Sequence, residues 1–410
     1  MDLLKRDFTL SEIMNFILLS VIAIMPFIVI KGDKMPFMTG KVVFLYIVGI
    51  ICLIPLLKDI KNFKFMKEEI LLGIFFISLI ISTIFGIDPV TSLFGAEGWN
   101  QGLLMYGGYI IVFFTAKKYF SLDEGKINII CAVASVMGAY TILQYYGIDL
   151  IFKYYLKLNV KVDTIATIGN RNFVATYIVI FLLISVSMYI FNEKKAYLIY
   201  SCILFGALLA TLTRGGWVGL AVALLFGAFL VIKEKKYYKK IITIVLLFCG
   251  IFFVMNITRD NMLISRSKSI IEDASDIKDG GGSGRIRIWK GTINCIKKNP
   301  FYGSGIDSLK LNAVLNGIDN DMRYPKAHNE FLEYWLWGGI VTLITYVLLI
   351  GMILWKLYKI RSNNIAKIFM VVIIGYQVQS FFNISVLEVA PIYWILLGSA
   401  VKFYRDNKNL

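Results

Sequence analysis

The chain reads as an all-α polytopic membrane protein of about twelve transmembrane helices, and three observations predict this. Hydrophobic residues make up 58% of the 410 positions and the mean hydropathy is +0.71, well above the roughly 45–50% apolar content of soluble domains. Apolar runs recur along the whole chain at lengths near the roughly 20 residues a helix needs to cross hydrocarbon. Between the runs, lysines alternate from dense to sparse.

Twelve runs follow in order: Ile13–Ile30, Val42–Leu57, Ile70–Phe85, Leu103–Phe120, Ile127–Tyr146, Phe173–Phe191, Ala196–Thr211, Trp217–Ile232, Ile241–Met255, Phe331–Trp355, Ile365–Phe382 and Ala390–Phe403. The first has no compact small-residue cleavage site behind it, so it is expected to be retained as a helix. Alternate connections, from Lys5–Arg6 to Lys402–Lys408, hold 23 of the 43 Lys and Arg residues; the opposite short connections hold 8 and one long loop, Asn256–Glu330, holds 12. Long loops report orientation poorly, so the comparison that matters is 23 against 8. The positive-inside rule then puts both termini in the cytoplasm and the loop outside. The net charge of +16 is this topological signal against anionic lipid, and no nucleic-acid partner is needed to explain it.

Domain organisation is simple: residues 1–410 form one integral membrane domain, with 256–330 inserted between the ninth and tenth spans. Asp279–Gly284 is a glycine-rich hinge within that insertion. Cys52, Cys131, Cys202 and Cys249 lie in apolar runs and Cys295 is alone in the loop, so no disulfide framework or metal spacing appears. One histidine excludes a His-based metal site. Glu272, Asp273, Asp276 and Asp279 leave a carboxylate cation site open, with a solvated stretch as the plainer reading. Away from their ends the spans carry at most amides such as Asn15, Gln144, Gln377 and Gln379, which argues against an ion-coupled pump.

Polar chemistry gathers instead at the outer face, in three elements. Thr211–Trp217 joins two spans in a few residues. Gly215 and Gly216 there permit either positive φ or close packing, and Arg214 is fixed at the surface. A fixed guanidinium suits bidentate phosphate binding; a plain snorkelling arginine is the alternative. In Gly282–Pro300, Ile286, Trp289, Ile293 and Ile296 recur at helical spacing, predicting an amphipathic helix on the membrane. Ser283 is its expected N-cap. Arg285 then lies in the first turn, where backbone N–H groups favour anions, with Arg287 as a second candidate; a helix that only covers the protein is the alternative. The third element carries the sole histidine, His328, in Pro325-Lys-Ala-His-Asn-Glu-Phe-Leu-Glu-Tyr-Trp335. Pro325 suits a helix start, which would put His328 in or near the first turn. The dipole there disfavours imidazolium, and a neutral imidazole can take a proton from a hydroxyl near pH 7. An imidazole among Arg214, Arg285, Arg287 and Arg323 at a membrane surface points to an anionic lipid-linked substrate; an interfacial histidine filling a helix start is the bland reading.

These segments form a set. Thr-Arg-Gly-Gly-Trp at 213–217, Ser-Gly-Arg-x-x-x-Trp at 283–289, Asn-Pro-Phe-Tyr-Gly-Ser-Gly at 299–305 and His-Asn-x-Phe-Leu at 328–332 resemble the O-antigen ligase family, which includes polysaccharide polymerases and bacterial O-oligosaccharyltransferases. Phe94-Gly…Asn100-Gln-Gly-Leu103 and Ile168-Gly-Asn-Arg-Asn-Phe173 fit as well. The resemblance runs from about residue 90 to 385. It implies a GT-C-like fold in the bacterial cytoplasmic membrane and an inverting glycosyltransferase without metal or other cofactor. Such an enzyme moves a glycan from undecaprenyl diphosphate to a hydroxyl on a glycan, lipid or protein acceptor. Carried onto this chain, the catalytic residues would be His328, Arg214 and Arg285. Arg287, Arg171, Arg323 and Trp289 would bind substrate, although Arg171 stands where members often have proline. A catalytic carboxylate pair is not expected, because none is placed beside the arginines. A lipid-linked glycan transporter or a non-catalytic assembly scaffold are the rivals.

Overall fold

The structure, a computed structural model, describes residues 9–62, 65–157, 163–192, 194–275, 284–317 and 325–408, with backbone only for 62 and 269–275. Arg323, Ser283, Asp276, Asp279 and the glycine-rich hinge before Gly284 lie outside them.

The described residues form helices without strands: α1 (Leu10–Ala23), α2 (Thr39–Lys58), α3 (Lys67–Phe85), α4 (Pro89–Phe94), α5 (Leu103–Tyr119), α6 (Glu124–Tyr145), α7 (Arg171–Phe191), α8 (Ala196–Ala210), α9 (Arg214–Val231), α10 (Tyr238–Ile257), α11 (Met262–Ser275), α12 (Arg285–Ile296), α13 (Leu309–Leu315), α14 (Glu330–Lys359), α15 (Asn364–Phe381) and α16 (Ala390–Asn407). Each of the twelve apolar runs falls on one of these. Among the described residues nine helical segments are long and apolar enough to cross a membrane: α1 taken on to Phe27, α2, α3, α6, α7, α9, α10 taken from Lys235, α14 and α15. The remaining three of the twelve, α5, α8 and α16, do not reach that length and apolarity together. The inserted segment contains three helices, α11, α12 and α13.

Local signals start several helices. The Thr9 hydroxyl and Glu12 form a capping box on α1. Side chains of Asp123, Asn170, Asn329 and Asn363 accept from the first free N–H groups of α6, α7, α14 and α15. Two packed groups result. In one, α16 lies on α5 and α14 on α3; in the other, α7 is surrounded by α6, α8, α9 and α15; α15 joins the groups through α14 and α16. Helix α7 is almost wholly buried, as an apolar helix enclosed by others should be.

Two departures from the sequence reading position the functional end. First, α14 is not continuous. Gly339 (φ 75, ψ −173) breaks it, and the segment 300–305 is spliced into the gap. Ser304 N–H donates to Leu336 O (2.8 Å), Gly305 N–H to Trp337 O (3.1 Å) and Ile340 N–H to Pro300 O (2.9 Å). Groups that a broken helix would otherwise leave orphaned are therefore paired, as low dielectric requires. A Cβ on Gly339 would sit 2.0 Å from Phe301 O, so no other residue fits. Second, Gly215 and Gly216 are helical; the positive φ of the α8–α9 turn falls on Leu212. The glycines provide close packing instead: a Cβ at either would meet Phe382 or Leu208 at 2.9 Å.

Charged residues do enter the helices, at their ends. Glu68, Glu69, Lys41, Lys117, Lys367, Glu330 and Glu333 are all buried within helices. They cluster in the end turns, where a partner from a neighbouring helix or loop can reach them, and not at mid-span.

Candidate functional site

His328 does not lie in a helix. Asn329 caps α14, accepting from Phe331 N–H (3.0 Å) and Leu332 N–H (3.1 Å), so Pro325 opens nothing and His328 stands one residue before the cap. Its φ is +50°. The preceding residue is held on both backbone groups: Ala327 N–H donates to the Glu333 carboxylate, and Ala327 C=O accepts from the Trp289 indole N–H at 3.0 Å. The His328 side chain is largely buried and its Nδ1 has no hydrogen-bond partner among the described residues. Burial, then the charges of Arg285 and Lys326, push its pKa down to about 4. The imidazole is therefore neutral at pH 7, through desolvation and neighbouring cations rather than chiefly through the helix dipole.

Three of the singled-out arginines each open a helix. Arg171 is the first residue of α7, Arg214 of α9 and Arg285 of α12. The α7 and α9 starts adjoin: Thr213 Oγ1 lies 3.4 Å from both Arg171 O and Asn172 Oδ1. Arg171 pairs with Asp163 at 3.2 Å. The cap of α12 is Gly284, at φ 76. Arg285 is largely buried; desolvation, then repulsion from Arg214 and Arg266, lower its pKa to about 10. No carboxylate pairs with it among the described residues. Arg287, two residues on, lies on the exposed side of α12, as the helical repeat dictates. Cations are disfavoured at helix N-termini, where the dipole end is positive. Neighbouring arginines contribute to the lowered pKa of Arg285 at its helix start, a place whose free N–H groups favour anions.

Residues 199–347 match the family described as O-Antigen ligase. This segment belongs to the O-antigen ligase family. It contains Arg214, Arg285 and His328, but not Arg171. A protein of Haemophilus influenzae (strain ATCC 51907 / DSM 11121 / KW20 / Rd), described as uncharacterized, is 23% identical over 325 residues, covering 74% of this chain and 75% of its own length. The family match and the apolar helices together support a multi-pass bacterial inner-membrane protein and a glycan-processing ligase or transferase activity.

The candidate site includes residues that the sequence reading missed. Arg266 of α11 donates from Nε to Leu212 O (3.0 Å) in the turn before Arg214, and burial, then Arg171, lower its pKa. Nothing in the pattern around it marked it. Lys326 and Glu333 flank His328 in the segment already singled out, and their apolar surroundings were the available signal. Lys326 is buried against Asp307, with its ammonium 5.1 Å from the Trp99 ring centroid and 5.0 Å from that of Trp337. Asp307 Oδ2 also accepts from Ala96 N–H (2.9 Å). Glu330 accepts from the Tyr334 hydroxyl at 2.7 Å. Carboxylates thus hold the residues next to His328, Asp307 through Lys326 and Glu333 through Ala327 N–H, because the first turn of α14 and the segment after the splice fold back onto its loop. Trp289 is tied to Ala327 O and packs edge-on against Phe381 (5.4 Å).

Proposed function

We propose that the chain is an inverting glycosyltransferase that moves a glycan from undecaprenyl diphosphate to a hydroxyl acceptor at the outer face of the cytoplasmic membrane. The observation that carries this reading is the meeting of arginine-headed helix starts, those of Arg214 and Arg285, with a neutral imidazole. The acceptor oxygen forms a bond to the anomeric carbon while the carbon–oxygen bond to the diphosphate breaks. The bonding pair leaves with the diphosphate, and the hydroxyl proton passes to His328. One displacement inverts the anomeric centre. Arg285 and Arg214 meet the charge that grows on the departing diphosphate, where fixed donors act most strongly. The planar fork of arginine matches two phosphate oxygens at once. Arg171 and Arg266 add positive field beside them. The same chemistry serves an acceptor carried on a lipid, on a growing glycan, as in a polymerase, or on a protein.

Purified protein in liposomes, given a lipid-diphosphate glycan and a hydroxyl acceptor, tests the reading. It predicts glycan covalently attached to the acceptor and free polyprenyl diphosphate released. Movement of intact lipid-linked glycan between leaflets, with no transfer, would instead identify a transporter.

A further inference from the structure

The loop that carries His328 is held by groups with no part in the proposed bond-making. Between 326 and 329, every residue but 328 is anchored. Lys326, 1% exposed, is paired with Asp307 and packed between two tryptophan rings. Ala327 is fully buried, its N–H given to Glu333 and its C=O to Trp289. Asn329, 3% exposed, caps α14. His328 alone is left with a positive φ, a region where non-glycine residues persist only when their surroundings over-determine them. Asp307, the partner of Lys326, is also at positive φ (59°).

The imidazole itself lacks the usual orienting bond. In hydrolase triads a carboxylate on Nδ1 fixes tautomer and direction; here Nδ1 has no partner among the described residues. Orientation must then come from the backbone. We propose that Glu333, Trp289 and the Lys326–Asp307 pair are positioning residues, a clamp on residues 326–327 that presents the His328 imidazole to the arginine cluster. Helix α12 completes the logic. Arg285 and Trp289 are four residues apart, on one face. A single helical turn therefore carries both the guanidinium and the bond that anchors the histidine loop. Phe381 of α15 seats that turn. Trp289 then sets the spacing between anion holder and base, and is not itself a substrate contact.

This inference rests on the proposed role of His328, and its test separates the two. His328 is the only histidine, so acylation by diethylpyrocarbonate, read at residue 328 by peptide mass spectrometry, reports it alone. The experiment uses full-length protein in liposomes. Glu333→Leu and Trp289→Phe are each expected to label about tenfold faster, the scale of losing a hydrogen bond that holds the loop closed. Their kcat should fall roughly 10- to 100-fold, as for small misplacements of a catalytic group, with KM for the lipid donor unchanged. Glu333→Gln, whose amide oxygen still accepts from Ala327 N–H, should stay near the parent in both. Parent-rate labelling in Glu333→Leu and Trp289→Phe overturns the clamp. Slower turnover of Trp289→Phe at the parent labelling rate also overturns it, since Trp289 then acts on substrate. Faster labelling with undiminished turnover upholds the clamp and removes His328 from the chemistry. Should Glu333→Leu fail to fold, Trp289→Phe decides alone, because it loses only the indole N–H and keeps a ring against Phe381.

Discussion

The two ends of the helical bundle are both rich in positive charge and differ at one point: both hold cations paired with carboxylates, Arg171 and Lys326 among them, but only the functional end holds the largely buried Arg285 with no carboxylate among the described residues. At the lysine-rich end, cations find carboxylates on neighbouring helices. Lys117 pairs with Glu69, Lys356 with Glu68 at 2.5 Å and Lys367 with Glu234 at 2.8 Å, and the Glu68 and Glu69 side chains are fully buried. At the other end Arg285 is pressed toward Arg214 and Arg266, and Arg266 toward Arg171, beside a buried imidazole. One end uses charge to hold helices together. The other brings Arg285, with which no carboxylate pairs among the described residues, near further arginines, an arrangement that suits an anionic ligand.

Substitutions that respect charge but change shape sharpen this contrast most. Arg285→Lys and Arg214→Lys keep the charge and lose the fork; turnover is expected to fall on the order of 10²–10³-fold, the usual loss for one donor to a developing anion. Lys117→Arg at the lysine-rich end should leave turnover unchanged. Full activity in both lysine variants would make the arginines membrane anchors.

Breaking a buried pair should reverse the pattern. Glu69→Leu removes the fully buried carboxylate that Lys117 pairs with and is expected to cost about 3–5 kcal/mol of stability, measured by denaturant unfolding in detergent, with turnover of the folded fraction intact. The double variant Glu69→Leu/Lys117→Met should recover most of the loss. A silent Glu69→Leu would show that this end is not held by its pairs.

Removing repulsion should do the opposite at the arginine end. Arg285→Met is expected to abolish turnover while raising stability by roughly 0.5–2 kcal/mol, the range typical when a functional constraint is relieved. A fall in the unfolding midpoint would mean that Arg285 is structural. The smallest effect is none: chelators should leave turnover unchanged, because arginines do the electrostatic work in this account. Loss in EDTA with recovery in Mg²⁺ would turn attention to the acidic stretch Glu272–Asp279.

Much of this was legible in the sequence and some of it could not be. Apolar run length and lysine alternation marked a helix at each of the twelve runs, because burial of the backbone in hydrocarbon leaves little freedom. Arg214, Arg285 and His328 were marked by short motifs, and Arg171 by its glycine–asparagine turn. What could not be read was long-range pairing. Gly338-Gly339 looks like ordinary small residues in an apolar run, and only the partner segment 300–305 reveals the break. Lys326 and Asp307 are 19 residues apart, with no local signal tying them. Arg266 lay in a stretch read as polar loop, and its helix is held by distant contacts such as the bond to Leu212 O. The neutrality of His328 was anticipated, but its cause was assigned to a helix start that begins two residues later.

The most direct test of the account is glycan transfer by His328→Gln in reconstituted membranes, with binding of the lipid donor measured separately. With its pKa held at about 4, the parent imidazole is already neutral well below pH 6, so the parent rate should be flat from pH 8 to 6 and fall only as the pH approaches 4. His328→Gln should bind donor like the parent yet transfer about 10²–10⁴-fold more slowly, the usual loss of a general base. Transfer by His328→Gln at the parent rate across pH 6 to 8 would contradict the account, because no other imidazole exists to take the proton.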